Sequence, residues 1–526
     1  MSIIYINPQS KKNREKTIVV MGLARSGTSM MATILKTLGV FIGDSLTDGS
    51  LEDKEISKLM EVSSNDEALK KIISQRNNNH KIWGWKRPGA FKKIANYENL
   101  LRNPFYIFMT RDLAAISLRR SIAVNTKIND NLSQAQKQYL SYINFISSTA
   151  NPSLIIPNEV ANLDKDFFIE SIVEYLGLDS NNEQIKASKK IILPNNNSYL
   201  KSMKYNQIKS GRIISKNIEN SGFSVINKSS KKSSKIKSVG VLGLAKSNTK
   251  TLSKVISDLG VDTETEKLKT IDDQLFVKMI EKSSSNKDVL KYINIRNKSS
   301  NIWGFHRPKA VNYITHIEDK FPNPHFILLY NDPCLTAINR SRKIDDKFIE
   351  KLTLVARQHK KLDLFLNKVK SPCLIVSHEK AILNPQGFID LLKQFLDLNP
   401  DKKQIQRAIE TLKSKNLNKV KIASLSKYIG AVDPIKNGIL KGWALKKGDE
   451  NATWVDITIN NKLISSLCVN EERKSLKRKG IGKGNHGFKI DISKYILNKD
   501  SLEIFITHKS SQEPLINSPI KYNCQK

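Results

Sequence analysis

The sequence predicts an α/β protein, with two tandem copies of one α/β domain followed by a small all-β domain. Three observations predict it. Thr17 to Gly43 reads as strand, glycine-bounded loop and amphipathic helix. Four separated sequence blocks of the first half return in the second. From Tyr428 onward, short apolar stretches alternate with turn signals.

The opening element is built from local signals. Ile18, Val19, Val20 and Met21 form the short apolar run of a fully buried strand. Gly22 ends it, and the loop Leu23-Ala24-Arg25-Ser26-Gly27 follows. Thr28 and Ser29 open a helix with apolar positions at Met30, Met31, Ile34, Leu35 and Leu38, and Gly39 stands where a C′ glycine would. A helix N-terminus presents unpaired N–H groups and about half a unit of positive charge, so it favours an anion. Gly27 allows close backbone approach, Thr28 and Ser29 add hydroxyl donors, and Arg25 adds a planar cationic fork. A Walker A loop places Lys after its second glycine; Thr28 stands there instead. With Arg25 as its cation, the loop resembles the 5′-phosphosulfate loop of sulfotransferases, which bind the sulfuryl donor PAPS. The plain alternative is a strand-loop-helix turn with no ligand.

Composition bounds the remaining classes. At 526 residues the chain has room for two to four domains, and 39% hydrophobic residues suit a globular protein. No apolar run is long enough to span a bilayer, and MSIIYINPQSKKNREK lacks a signal-peptide stretch. Cys334, Cys373, Cys468 and Cys524 have neither metal-ligand spacing nor the density of a disulfide framework. The expectation is a cytoplasmic protein with no transmembrane segment. The net charge of +37, from 87 basic and 50 acidic residues, admits nucleic acid, an anionic membrane face or anionic sugars as partners. The basic residues are spread through the chain, linkers included, and no nucleic-acid-binding signature accompanies them, so nucleic acid is not the expected partner.

The internal repeat sets the domain organisation. VVMGLARSGTSMMATILKTLGV returns as VGVLGLAKSNTKTLSKVISDLGV, and IWGWKRP as IWGFHRP. Asn103-Pro104 before FYIFMTRD matches Asn323-Pro324 before HFILLYND, and Pro152-Ser153-Leu154-Ile155-Ile156 matches Pro372-Cys373-Leu374-Ile375-Val376. From Trp83 onward the offset is constant at 220, which carries Glu159 onto Glu379. The copies differ in their chemistry. Arg25, Gly27 and Ser29 become Lys246, Asn248 and Lys250; Lys86 becomes His306, and Arg111 becomes Asn331. Asn248 adds a side chain where an anion would approach. The first copy, residues 1–200, therefore reads as active, and the second, 238–420, as degenerate. Whether they pack together is left open.

Within the first copy, Leu51-Glu52-Asp53-Lys54-Glu55 opens a helix through Ile56, Leu59 and Met60, where acidic residues serve as caps or as a general base. The second copy keeps Asp272 and Asp273 there. Trp83-Gly84-Trp85-Lys86-Arg87-Pro88 reads as a strand emptying into a charged loop; Lys86 can reach a transferred group, and the tryptophans read as core or pocket wall. The strand Phe105 to Met109 ends in Thr110-Arg111-Asp112, at the strand end where open α/β sheets bind ligands. Arg111 can equally serve an ion pair with a carboxylate. Ser153 to Ile156 reads as another central strand leading to Glu159.

Taken together, GLARSGTS, WGWKRP, the strand ending in RD and the closing strand-Glu-helix-LGL module resemble the bacterial sulfotransferase family, over about residues 15–180 and again over about 238–398. The resemblance implies P-loop-like, doubly wound parallel sheets and transfer of a sulfuryl group from PAPS to a hydroxyl or amine, leaving PAP, with no metal. It implies that Ala24, Arg25, Ser26, Gly27, Thr28 and Ser29 hold the 5′-phosphosulfate, and that Arg111, with Ser117 or Ser121, holds the 3′-phosphate. Arg25 and Lys86 would act on the sulfuryl group, and Glu52 or Asp53 would take the acceptor proton. Arg119 stands where the family has serine, and Arg87 where relatives carry Asp.

Residues 201–237, with NNN just before and NKSSKKSSK within, read as a polar linker. A third domain, 426–522, offers the segment Gly438–Ala444, strand-like Trp454–Ile459, an Asn460-Asn461 turn into Lys462–Ile464, and strands at Lys489–Ile492 and Leu502–Ile506, the pattern of a β-sandwich. Its GWA and GxGxHGF segments resemble an accessory module of bacterial surface-glycan transferases, which makes a saccharide the expected acceptor; His486 reads as structural. Two other functions compete: a nucleotide kinase, which would need the absent Walker lysine, and a non-catalytic glycan-binding scaffold.

Overall fold

The computed structural model describes residues 2–7, 15–47, 50–62, 66–124, 126–193, 222–227, 235–263, 274–282, 285–341, 344, 347–413, 421–425, 428–446, 451–478, 484–496, 501–510 and 514–523. Most of the expected linker, and Asp272 and Asp273, lie outside them.

The first sheet contains β1 (Ser2–Ile6), β2 (Lys16–Gly22), β3 (Ile82–Lys86), β4 (Pro104–Thr110) and β5 (Ser153–Pro157). The second contains β6 (Phe223–Ile226), β7 (Lys237–Gly243), β8 (Asp262–Thr263), β9 (Ile302–His306), β10 (Pro324–Tyr330) and β11 (Cys373–Ser377). Their inner order is the same: β5-β4-β2-β3 in one and β11-β10-β7-β9 in the other, with all neighbours parallel. An antiparallel edge strand precedes each set, β1 on β5 and β6 on β11. The second unit thus begins by Phe223, inside the segment expected as linker. The first sheet gains a sixth strand, β12 (Lys421–Leu425), which pairs parallel to β1 with Ile3 opposite Ile422.

The strands are buried on both faces, and successive side chains enter opposite cores with the two-residue period of a strand. Ile18 and Val20 pack against Met31, Ile34 and Leu35 of the helix Thr28–Thr37 and against Phe168 and Ile172 of Lys165–Leu176. Val19 and Met21 face the opposite core. That second core is shared: Tyr139, Tyr142 and Phe145 of the helix Ile128–Ser148 belong to one apolar cluster with Leu352, Val355 and Phe365 of Phe348–Lys368. Gln136 Nε2 donates to the Ala356 carbonyl across it at 3.3 Å. The two units therefore pack against each other, and the carboxyl ends of their central strands are brought within reach of one another.

The remaining strands form two antiparallel sheets, β13 (Tyr428–Val432), β14 (Ile439–Lys446) and β17 (Gly487–Asp491), then β15 (Thr453–Ile459), β16 (Lys462–Val469), β18 (Ser501–His508) and β19 (Ile520–Asn523). Val432, Leu440 and Phe488 of one and Val455, Ile457 and Ile504 of the other share a core.

Candidate functional site

The site starts where β2 runs out. Ser26 N donates to Leu23 O at 3.1 Å and tightens the turn. Arg25 (φ +76°) and Gly27 (φ +103°) take left-handed conformations. A Cβ on Gly27 would lie 2.4 Å from Asn158 Oδ1, so any other residue would have to displace the Asn158 side chain as well as adopt a left-handed conformation. The helix from Thr28 has no side-chain cap, which leaves its first-turn amides for another acceptor. Thr28 is buried, Ser29 and Arg25 are half-buried, and Ala24 is exposed. Ser26 Oγ meets no hydrogen-bond partner among the described residues.

Parallel pairing of β2 with β3 brings the second element in. Val20 lies opposite Lys86, and Arg87 N donates to Val20 O at 3.0 Å. Lys86 Nζ donates to Glu52 Oε1 at 2.7 Å, and Arg87 bonds the other carboxylate oxygen. Burial pushes the Lys86 pKa down, with the Arg25 charge adding to the fall, and Glu52 only partly restores it. Burial alone would raise Glu52, but the Lys86 hydrogen bond and the Lys86 and Arg87 charges hold it below the usual range. Arg25, Lys86, Arg87 and Glu52 thus converge beside the loop. A cleft of about 370 Å³ opens next to them, between Ala24, Glu52, Ser57, Met60, Arg87 and Lys93.

Asp53 stands apart. Its Oδ1 accepts from Glu55 N and Ile56 N, both at 3.0 Å, capping the helix Lys54–Val62, and its Oδ2 lies 2.6 Å from Arg76 Nη1. With both oxygens engaged in a fully buried cap and ion pair, it does not join the loop cations.

The third element comes from β4, parallel to β2 on its other side. Arg111, just past β4, donates through Nη1 to the Arg25 carbonyl at 3.2 Å. Its fork is turned to the second unit: Nε donates to Glu379 Oε2 at 2.9 Å and Nη2 to Oε1 at 2.7 Å. Asn158 Nδ2 donates to the same Oε1 at 3.2 Å. Burial would raise Glu379, but Arg111 holds it at about 2. Arg119 and Lys380 feel the same cluster; burial, then the Arg111 charge, lowers them to about 10 and about 8. Of the two serines, Ser117 is fully buried with no partner for Oγ among the described residues, and Ser121 Oγ accepts from Asn131 Nδ2 at 2.7 Å.

The corresponding loop of the second unit is met by its own side chains. Asn248 (φ +68°) places Nδ2 3.4 Å from His378 Nδ1, and His306 Nε2 lies 2.9 Å from Thr249 Oγ1. Asn339 and Arg340 bond the carbonyls of Lys246 and Ala245. Across the interface, Asn331 stands where Arg111 would, and neither oxygen of the buried Glu159 meets a hydrogen-bond partner among the described residues. Burial, then the Glu379 charge, pushes the Glu159 carboxyl well above its ordinary range.

Sequence reasoning brought Arg25, Lys86 and Glu52 together by element and missed Asn158, Glu379 and Lys380 as members of the site. The one signal for Glu379 was its correspondence with Glu159 across the repeat.

Among the described residues, no helix is long and apolar enough to cross a membrane, and no group of three or more His, Cys, Asp or Glu is disposed to hold a metal ion. No family model and no curated protein matches the sequence. Among solved structures, the chain is similar to the sulfotransferase domain of the Synechococcus PCC 7002 olefin synthase, at 15% identity and TM-score 0.25, over 34% of this chain and 78% of that one. It is also similar to mouse sulfotransferase SULT7A1 complexed with PAP, at 16% identity and TM-score 0.24, over 35% of this chain and 64% of that one. Likeness at this level assigns neither family nor activity to the chain.

Proposed function

We propose that the first unit is a sulfotransferase that moves a sulfuryl group from PAPS to a hydroxyl or amine of a saccharide or other small acceptor. The observation that carries the reading is the uncapped helix N-terminus behind Gly27, with Arg25 and Lys86 converging on it and an open cleft alongside. Those residues suit the 5′ end of the donor: amides, hydroxyls and two cations around one anion. At the 3′ end, Arg111, Arg119 and Lys380 gather around Glu379, with Glu159 and Asp112 also close to Arg111, and these three cations are the groups that could meet a phosphate. Arg111, with Ser117 or Ser121, is the proposed contact, and that phosphate would compete with Glu379 for the Arg111 fork.

When bound, PAPS supplies an activated sulfuryl group whose S–O bond to the nucleotide phosphate breaks as the acceptor attacks. The loop amides and Arg25 fix the anion, and Lys86 stabilises charge as it gathers on the departing phosphate. Glu52 takes the acceptor proton. Its pairing with Lys86 and Arg87 makes it a weak base; as Lys86 turns to the donor, Glu52 loses a hydrogen bond and gains basicity. Asp53, held in its cap, supports Glu52 by fixing the start of its helix.

We further propose that the two units are tandem copies of one P-loop-like domain, the second no longer binding nucleotide, and that the C-terminal sheets form an accessory module. A scaffold without catalysis is the second reading, favoured by Glu379 lying in the Arg111 fork. Calorimetric titration separates them. PAP is expected to bind the wild type, and Arg25→Ala to weaken it about tenfold or more through loss of a charge-assisted contact. Binding of ATP with Mg²⁺ in place of PAP points to a kinase, and absence of any nucleotide binding to the scaffold.

A further inference from the structure

Glu379 belongs to the second unit, yet among the described residues its side-chain hydrogen bonds all go to the first. Two side chains of the first unit converge on this carboxylate, and each touches one end of the anion loop. Arg111 spends two donors on Glu379 and one on the carbonyl of Arg25. Asn158 donates to Glu379 through Nδ2 while its Oδ1 lies against the Cα of Gly27, where a methyl group would come within 2.4 Å. Arg25 and Gly27 are the two left-handed residues of the loop. For a non-glycine residue such a conformation persists only where surrounding contacts hold it.

We infer that Glu379 is a positioning residue for the first unit's loop: through Arg111 and Asn158 it braces Arg25 and Gly27, so the second unit completes a site it does not itself contain. The opposite half of the interface supports this assignment. There Asn331, and not an arginine, stands at the position matching Arg111, and the oxygens of Glu159 meet no hydrogen-bond partner among the described residues. His378 replaces Asn158 there. One direction of the exchange is kept, toward the loop with the open N-terminus, and the other is lost. The second unit would then be retained as a brace rather than as a second enzyme.

The inference rests on the first loop being an anion site, and its test separates the two. Glu379→Gln replaces one acceptor oxygen by an NH₂ that opposes the Arg111 donors, so the fork breaks while volume is kept. Hydrogen exchange of the Leu23–Ser29 amides is expected to quicken about tenfold, the loss of a hydrogen bond to a charged group, with the Leu244–Lys250 amides unchanged. PAP affinity then reflects two opposed effects, a looser loop and an Arg111 fork freed for the 3′-phosphate, so loop exchange is the deciding readout. Glu159→Gln, the control, should leave both readouts at wild-type values. Asn158→Ala keeps the ion pair, removes one arm and should move the loop in the same direction if Glu379→Gln does not fold. Loop exchange unchanged in these variants, with only the melting temperature lowered, overturns the inference even where PAP still binds. Loop exchange that responds in a protein binding no PAP leaves the brace standing and removes the sulfotransferase reading.

Discussion

Arg111 and Glu379, 268 residues apart, form a buried bidentate ion pair at the meeting of the two units. Their side chains are 5% and 2% exposed, so neither charge is compensated by water. Such a pair contributes little over an apolar one, but breaking it leaves a bare charge in the interior.

Arg111→Ala or Glu379→Ala alone is therefore expected to cost about 3–5 kcal/mol. The double variant Arg111→Met/Glu379→Met should recover most of that loss while still losing PAP binding. Urea unfolding midpoints and a PAP titration on the same preparations check both halves. A double variant no more stable than either alanine variant would contradict the account.

Glu159 predicts the opposite sign. Its carboxyl is buried without a hydrogen-bond partner among the described residues, and burial, then Glu379, pushes its pKa well above the ordinary range. Glu159→Met keeps the volume and removes the unsatisfied group, so it should stabilise the protein by about 1–3 kcal/mol. A lower melting temperature for this variant would show that Glu159 has a partner that matters.

Asp332 gives a pH dependence. Burial pushes its carboxyl up to about 7, with Asp112 adding to the rise. Between the unfolded and folded pKa values, a carboxyl raised in the folded state keeps its proton there and has lost it when unfolded. Its contribution is thus fully present below about pH 4 and lost as pH rises through about 7. Asp332→Asn removes the titration, and its Oδ1 can still accept from Cys334 N and Leu335 N. The variant should gain stability relative to wild type between pH 4 and pH 8, read from unfolding midpoints at both; a constant difference would sink the assignment.

Gly27→Ala tests the loop itself. The methyl group would meet Asn158 Oδ1 at 2.4 Å with φ at +103°. The conformational cost is about 1–2 kcal/mol before the clash is counted. PAP binding should be lost while hydrogen exchange of the Leu244–Lys250 amides stays at its wild-type rate.

Much of the frame was legible because it is encoded locally. The apolar run before Gly22 and the 3.6-residue spacing after Gly27 fall in β2 and in the helix Thr28–Thr37. Lys86 at a strand end was legible for the same reason. Two short strands were not. Ser2–Ile6 and Phe223–Ile226 lie in polar surroundings that resemble linker, and only pairing with β5 and β11 makes them strands. Glu52 and Asp53 could not be told apart from sequence, since adjacent carboxylates before a helix suit both capping and catalysis. The turn before the helix decides: it points Asp53 at the amides and Arg76, and Glu52 at Lys86 and Arg87.

What the sequence by itself determined is the succession of elements and the inequality of the two loops, because strand, loop and helix signals are read within a few residues and Asn248 for Gly27 is visible without coordinates. The tertiary structure alone decided which charges meet. Arg111 at a strand end carries no mark of its partner, and an interior of low dielectric makes the partner it finds decisive. Glu379 reaches it because the two units share one apolar core, a relation that no stretch of either copy contains.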